Sequence, residues 1–252
     1  SMQVGFITNL KKILAAGEKR ALLISATGTG KTYASAFAMR ELGFRRVLFL
    51  VHRGQLARQT RKSYEKVFAN TVSMGLVGAG YHEYEADYVF ATVQTLNRDE
   101  HLLQYAKDAF DCIVLDEAHH VPADTYRKIM DHFTPKLWLG MTATPDKRDD
   151  NVEGRNVYEI FNYQIAYEIR LQQAMEENLL CPFHYFGITD LSMIGDEEAA
   201  RDFNMLTSDE RVRHIVNQAD YYGYSGDKVK GLIFCSNITV SYTHLRAHET
   251  RG

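Results

Sequence analysis

Long hydrophobic runs are missing from this sequence: no stretch is apolar over enough residues to cross a bilayer as a helix, and no basic-then-apolar leader is legible. Cysteine is scarce. Cys112, Cys181 and Cys235 stand far apart and form no CxxC pair, so free thiols in a reducing compartment, and with them a cytoplasmic location, are expected. An excess of positive charge is missing too. The formal net charge is -3, so any anionic partner must be held by local features rather than by the field of the whole molecule. Internal repeats and low-complexity tracts are absent. What remains is an ordinary globular composition, 45% hydrophobic and 24% charged over 252 residues, enough for one or two domains.

Short apolar runs alternate with amphipathic stretches. Phe6, Leu10, Ile13 and Leu14 fall at helical spacing and predict a first helix around 3–16. Strand-like runs follow at "ALLIS" (21–25), "RVLFLV" (46–51), "DYVFAT" (87–92), "DCIVLD" (111–116) and "KLWLGM" (136–141). The stretches 31–42, 54–69 and 122–132 suit helices. Runs that are apolar throughout, rather than alternating, suit strands covered on both faces. The expected fold is therefore α/β, a doubly wound parallel sheet with helices on both faces.

In such sheets ligands bind at the carboxyl ends of the strands, and three polar stretches fall there. The first is "SATGTGKT" (25–32). Gly28 and Gly30 permit a tight loop whose N–H groups can face an anion, and Lys31 supplies a point charge for terminal phosphates. Thr32 opens the next helix with its hydroxyl placed for Mg²⁺. Ser25 stands where the general phosphate-loop pattern has its first glycine. The second is "IVLDEAHH" (113–120), where Asp116 and Glu117 are two adjacent carboxylates that call for a cation nearby. Asp116 can hold the Mg²⁺ carried by a nucleotide, and Glu117 can orient or deprotonate an attacking water. A metal site built from Asp116, Glu117, His119 and His120 is the alternative; no second cluster at ligand spacing supports it. The third is "MTATPDKR" (141–148), by itself a polar turn closed by Pro145.

In this order, "ATGTGKT", "DEAH" and "TATP" resemble the DEAD/DEAH-box helicases of superfamily two. The resemblance implies an ATP-driven motor on nucleic acid, DNA in preference to RNA, built from two RecA-like domains with ATP and Mg²⁺ between them. "LVHRGQLARQT" (50–60) and "FATVQTL" (90–96) resemble the family's segments along the nucleic-acid backbone, which makes Arg53, Thr92 and Gln94 candidate phosphate contacts. Thr27, Gly28, Thr29, Gly30, Lys31 and Thr32 would bind the nucleotide, and Gln3 sits where the family reads adenine. Asp116 would hold the metal with Thr32, Glu117 would be the catalytic base, and Lys31 would act beside them. His119, Thr142 and Thr144 would couple the nucleotide site to the nucleic acid.

The stretch 167–190 resembles a bacterial group related to restriction-enzyme motor subunits, some members of which also carry a nuclease domain. "KVKGLIFCSN" (228–237) resembles the opening strand of the second RecA-like domain. The expected layout is a first RecA-like domain at 1–158 and a connector at 159–226. An incomplete second domain at 227–240 and a non-native tail at 241–252 would follow. Such a fragment is expected to turn over little ATP alone, because the arginines of the second domain are missing. Two other classes share the phosphate loop: a nucleotide-binding scaffold that does not hydrolyse, and a small-molecule kinase. The kinase reading leaves "DEAH" and "TATP" at successive strand ends without a purpose.

Overall fold

The computed structural model describes residues 2–118, 123–145, 156–183, 185, 187 and 209–223. Its strands are β1 (Arg20–Ser25), β2 (Val47–Val51), β3 (Met74–Gly78), β4 (Tyr81–His82), β5 (Tyr88–Thr92), β6 (Cys112–Asp116), β7 (Leu137–Thr142) and β8 (Ile165–Ile169). Its helices are α1 (Met2–Ala15), α2 (Lys31–Glu41), α3 (Gly54–Phe68), α4 (Val93–Leu96), α5 (Asp99–Leu102), α6 (Ala123–His132), α7 (Val157–Ile160), α8 (Leu171–Glu176) and α9 (Asp209–Tyr222). The strands form one sheet in the order β4-β3-β5-β2-β6-β7-β1-β8, parallel throughout except for the β3–β4 pair.

The apolar runs are split residue by residue between two cores, because successive side chains of a strand point to opposite faces. Ala21, Leu23, Phe49, Phe90, Val114 and Leu139 join one core with α1, α2 and α3. Leu22, Ile24, Leu48, Val89, Ile113 and Trp138 join the other with α4, α6 and α7. Burying each large side chain contributes roughly 1.5–3 kcal/mol. At the centre of the first core, Tyr64 is fully buried among Phe49, Phe68, Tyr88 and Phe90. Gly140 is required in the second core: a Cβ there would fall 2.5 Å from the Phe161 ring.

Three strands differ from the sequence expectation. β3 carries Gly75 and Gly78, and β4 has two residues, so neither reads as a strand. β8 lies in the stretch assigned from sequence to the connector at 159–226, yet it pairs with β1 as the sheet's edge. Its burial is broken, with Ile165 and Glu168 exposed and Ala166 and Ile169 buried, so it lacks the unbroken apolar run of a doubly covered strand. The first compact unit accordingly runs from residue 1 to Pro182, and Phe183–Gly252 form a second. In the second unit α9 leaves Val212, Ile215 and Val216 about half exposed. The expected second-domain strand at 227–240 and the tail at 241–252 lie outside the described residues. Among the described residues no helix is long and apolar enough to cross a membrane. Cys112 is buried and Cys181 exposed, both free.

Candidate nucleotide and nucleic-acid site

The sheet order brings together what the sequence keeps apart. β7 lies between β1 and β6, so the loops after these three strands share one stretch of the sheet's carboxyl edge. Ser25, at the end of β1, is fully buried, and its hydroxyl forms a short hydrogen bond to Thr29 Oγ1. Thr29 Oγ1 in turn donates to the Ala26 carbonyl at 2.7 Å. The serine that replaces a glycine thus braces the loop from within. Gly28 and Gly30 take φ of +89° and +90°, conformations that strain any residue with a Cβ. Gly30 caps α2, whose first N–H groups have no acceptor inside the helix. Thr27 is exposed, and Thr32 lies half-buried in the first turn of α2.

Lys31 points back across this loop. Its Nζ donates to the Ser25 carbonyl at 3.1 Å and lies 3.6 Å from Glu117 Oε1 beyond β7. The two side chains are 11% and 22% exposed, so the pair is poorly screened by solvent. Glu117 adopts φ of +51°, an uncommon conformation for a residue with a side chain, stored where β6 ends. Its N–H donates to Asp116 Oδ1 at 3.1 Å, and the Ala118 N–H donates to the Met141 carbonyl at 3.1 Å. Burial and the neighbouring Glu117 charge push the Asp116 carboxyl up to about 6, against the opposing pull of Lys31 and of the Glu117 N–H. Two adjacent carboxylates so placed repel each other and favour a cation between or beside them. The left-handed glycines, a helix N-terminus, one lysine and this carboxylate pair fit a nucleotide triphosphate carrying a divalent cation.

Thr142 ends β7 fully buried in register with Ile24 of β1, and its hydroxyl accepts from the Thr144 N–H at 3.1 Å. His119 and His120 lie outside the described residues. Gln3 is exposed on α1 beside this loop, since Met2 Sδ lies 4.0 Å from Ser25 Oγ. Sequence patterning gave no hint of Leu180, whose side chain approaches to 3.1 Å of a Cβ built on Gly28, or of the bond from the Ala26 N–H to the Ile169 carbonyl. Both depend on β8.

The candidate nucleic-acid residues lie along the other half of the same edge. Val51 of β2 is in register with Thr92 of β5, which sets Arg53 and Thr92 at neighbouring strand ends. Arg53 is exposed at the N-terminus of α3, without a side-chain hydrogen bond or ion pair among the described residues. Thr92 is half-buried and already engaged: its hydroxyl caps α4, accepting from the Thr95 N–H at 3.1 Å. Gln94 is exposed on α4. Lys31, Thr32, Asp116, Glu117 and Thr142 are therefore gathered at one end of the edge, and Arg53, Thr92 and Gln94 at the other.

Residues 1–147 match the family profile described as "Type III restriction enzyme, res subunit". The chain is 29% identical over 233 residues to the type I restriction enzyme EcoAI endonuclease subunit of Escherichia coli, covering 87% of this chain and 28% of that protein. It is 28% identical over 204 residues to the putative ATP-dependent helicase IRC3 of Saccharomyces cerevisiae, covering 74% of this chain and 28% of that protein. Among solved structures, the type ISP restriction-modification enzyme LlaGI, lacking its nuclease and in complex with a DNA substrate mimic, shares the fold. Its TM-score is 0.55 at 20% identity, over 71% of this chain and 20% of that one. The chain thus spans little more than a quarter of these curated relatives.

Proposed function

This chain belongs to the type III restriction enzyme res-subunit family, within the helicase-like proteins of superfamily two, and from that premise we propose that it is the first RecA-like, ATP-binding motor domain of an ATP-dependent DNA helicase or translocase. The observation that carries the proposal is the meeting of Lys31 and Glu117 at 3.6 Å across the end of β7. In this reading the loop's cation and the strand-end carboxylate border the space a γ-phosphate would occupy.

In this reading Lys31 exchanges its contacts with Ser25 and Glu117 for the terminal phosphates, while the loop over Thr27–Gly30 and the first turn of α2 bind their negative charge. Thr32 and Asp116 would hold Mg²⁺, which neutralises charge developing on the phosphate oxygens. Glu117, freed from Lys31, accepts the proton of the attacking water. Gln3 would contact the base, His119, Thr142 and Thr144 would pass the nucleotide state along the edge, and Arg53, Thr92 and Gln94 would hold a strand. DNA is the assigned polymer because the EcoAI relative is a restriction enzyme. A nuclease elsewhere in the full-length protein, a second motor domain from 227 and a cytoplasmic location belong to the same reading.

Titration calorimetry with Mg·ATP and Mg·ADP tests it. Wild type is expected to bind both, and Lys31→Ala to lose roughly tenfold to a hundredfold in affinity, the worth of a charge-assisted hydrogen bond. Equal affinity for the two proteins would reject the assignment.

A further inference from the structure

The chain that follows β8 turns back onto the glycine loop, and a tight helix end makes it do so. At the end of α8 the Asn178 N–H donates to the Met175 carbonyl at 3.0 Å, and the Leu179 N–H to the Ala174 carbonyl at 2.9 Å. This pair of reversed bonds needs a left-handed residue just past the helix, and Asn178 supplies it with φ of +55°. The Leu180 N–H donates to the same Ala174 carbonyl at 3.2 Å. Ala174 is itself fully buried, and its N–H donates to the Arg170 carbonyl at 2.9 Å. The reversal therefore has a fixed base. It leaves Leu179 41% exposed and turns Leu180 inward against the first core.

Leu180 arrives beside the residue of the loop that can hold itself least. Gly28 has no side chain, and fixing a glycine removes more backbone freedom than fixing any other residue. Leu180 Cδ2 lies 3.1 Å from where a Cβ of Gly28 would be, while the Ile169 carbonyl holds the Ala26 N–H at 3.0 Å. One stretch, 169–180, thus braces both the start of the loop and its first glycine. Thr27 and Gly28 remain exposed, so the leucine supports the loop from one side and leaves another open to a ligand. We propose that Leu180 is a positioning residue for the nucleotide: seated by the Asn178 turn, it holds Gly28 in the left-handed conformation in which the loop's N–H groups meet the phosphates. A loop already held loses less freedom when its ligand binds, which raises affinity. The inference rests on the nucleotide reading above and extends that site to a residue beyond β8.

Titration calorimetry with Mg·ADP, paired with amide hydrogen exchange of the nucleotide-free protein, tests the inference. Leu180→Ala is expected to weaken binding by roughly fivefold to thirtyfold, the equivalent of ordering about one residue's backbone. It should also speed exchange at residues 27–30 while the amides of β6 exchange as in wild type. Leu180→Met keeps the apolar volume and should retain affinity. Asn178→Val keeps Leu180 but opposes the left-handed turn, so it should weaken binding, whereas Asn178→Gly should bind as wild type does. Wild-type affinity in Leu180→Ala overturns the inference, and so does tighter binding, which would make the leucine an obstruction. A loss of affinity without faster exchange at 27–30 overturns it as well. Should Leu180→Ala fail to fold, the Asn178 pair decides, and equal affinity in Asn178→Val and Asn178→Gly overturns the proposal. Lys31→Ala separates the two levels of the argument. If it weakens binding while Leu180→Ala does not, the bracing role falls and the nucleotide reading stands. If Lys31→Ala binds as wild type does, or wild type binds no nucleotide, both fall.

Discussion

Along the carboxyl edge of the sheet, the β1–β7–β6 side and the β2–β5–β3 side differ in where their charged groups find partners. On the first side Lys31 is turned inward onto Ser25 and Glu117, and the side chains are mostly buried. On the second side Arg53 and Arg58 are exposed and, among the described residues, have no side-chain hydrogen-bond or ion-pair partner, while the β3–β4 hairpin beside them is tied by the Leu76 N–H to Glu83. A site that must bind a compact, highly charged ligand keeps its own charges matched until the ligand arrives. On the proposed reading, a surface along which a polymer slides would keep its charges free and shallow. The overall charge of -3 leaves no broad field to trap a polyanion.

The sharpest way to break the first side is Glu117→Gln in the full-length protein that carries this domain. Nucleotide affinity should persist, because Lys31, Thr32 and Asp116 remain. Hydrolysis should fall by about 10²–10⁴, the usual worth of a positioned general base. Steady-state turnover with matched binding data checks this, and unchanged turnover would mean that another group activates the water.

The amino end of β6 provides a contrast with Asp116 on the same strand. Asp111, just before β6, accepts from the N–H groups of Arg45 and Arg46 at 2.8 and 3.0 Å and pairs with Lys136 at 2.7 Å. Burial alone would raise its carboxyl, yet these donors hold it below the ordinary carboxylate range. With the folded-state value depressed, its stabilisation is present above the unfolded value and is lost as pH falls through the folded one. Asp111→Ala should therefore lose about 1–3 kcal/mol at neutral pH, leaving backbone donors unpaired. The difference from wild type should shrink below about pH 4, where the unfolded carboxylate protonates. Urea melts at several pH values check both points, and a pH-independent difference would refute the charge argument.

Much of the doubly covered sheet was legible because β1, β2, β5, β6 and β7 are apolar throughout. β3, β4 and β8 were not, since an edge strand or a glycine-rich hairpin lacks that pattern. The glycine loop 25–32 and the carboxylate pair Asp116–Glu117 were visible in the sequence as residue types at strand ends. Their meeting was not, because it depends on β7 lying between β1 and β6, which no local pattern encodes.

A smaller effect probes how the two sides are joined. Ser35 of α2, one turn beyond the glycine loop, donates to the Thr32 carbonyl at 2.8 Å and lies 2.8 Å from the hydroxyl of Tyr64 on α3. These helices rise from the two sides of the edge. Tyr64→Phe keeps the ring packing and removes this one link, so a stability loss of about 1 kcal/mol is expected. A thermal melt that matches wild type would show the bond to be energetically silent.

The smallest effect belongs to the exposed side. Each phosphate neutralised on a single strand contributes about 0.7 to the log–log dependence of affinity on salt. With Arg53 and Arg58 as the cations that lack a partner here among the described residues, a total slope of only about 1–2 is expected. Arg53→Ala should lower that slope by about 0.7 and weaken binding alike for different base sequences, because a phosphate contact positions the strand without reading it. Lys31→Ala should leave the slope as it is, since Lys31 is committed to the other side. Anisotropy titrations across a salt series in the absence of nucleotide measure all three proteins. A steep wild-type slope, or one that Lys31→Ala changes and Arg53→Ala does not, would reverse the division between the two halves of the edge.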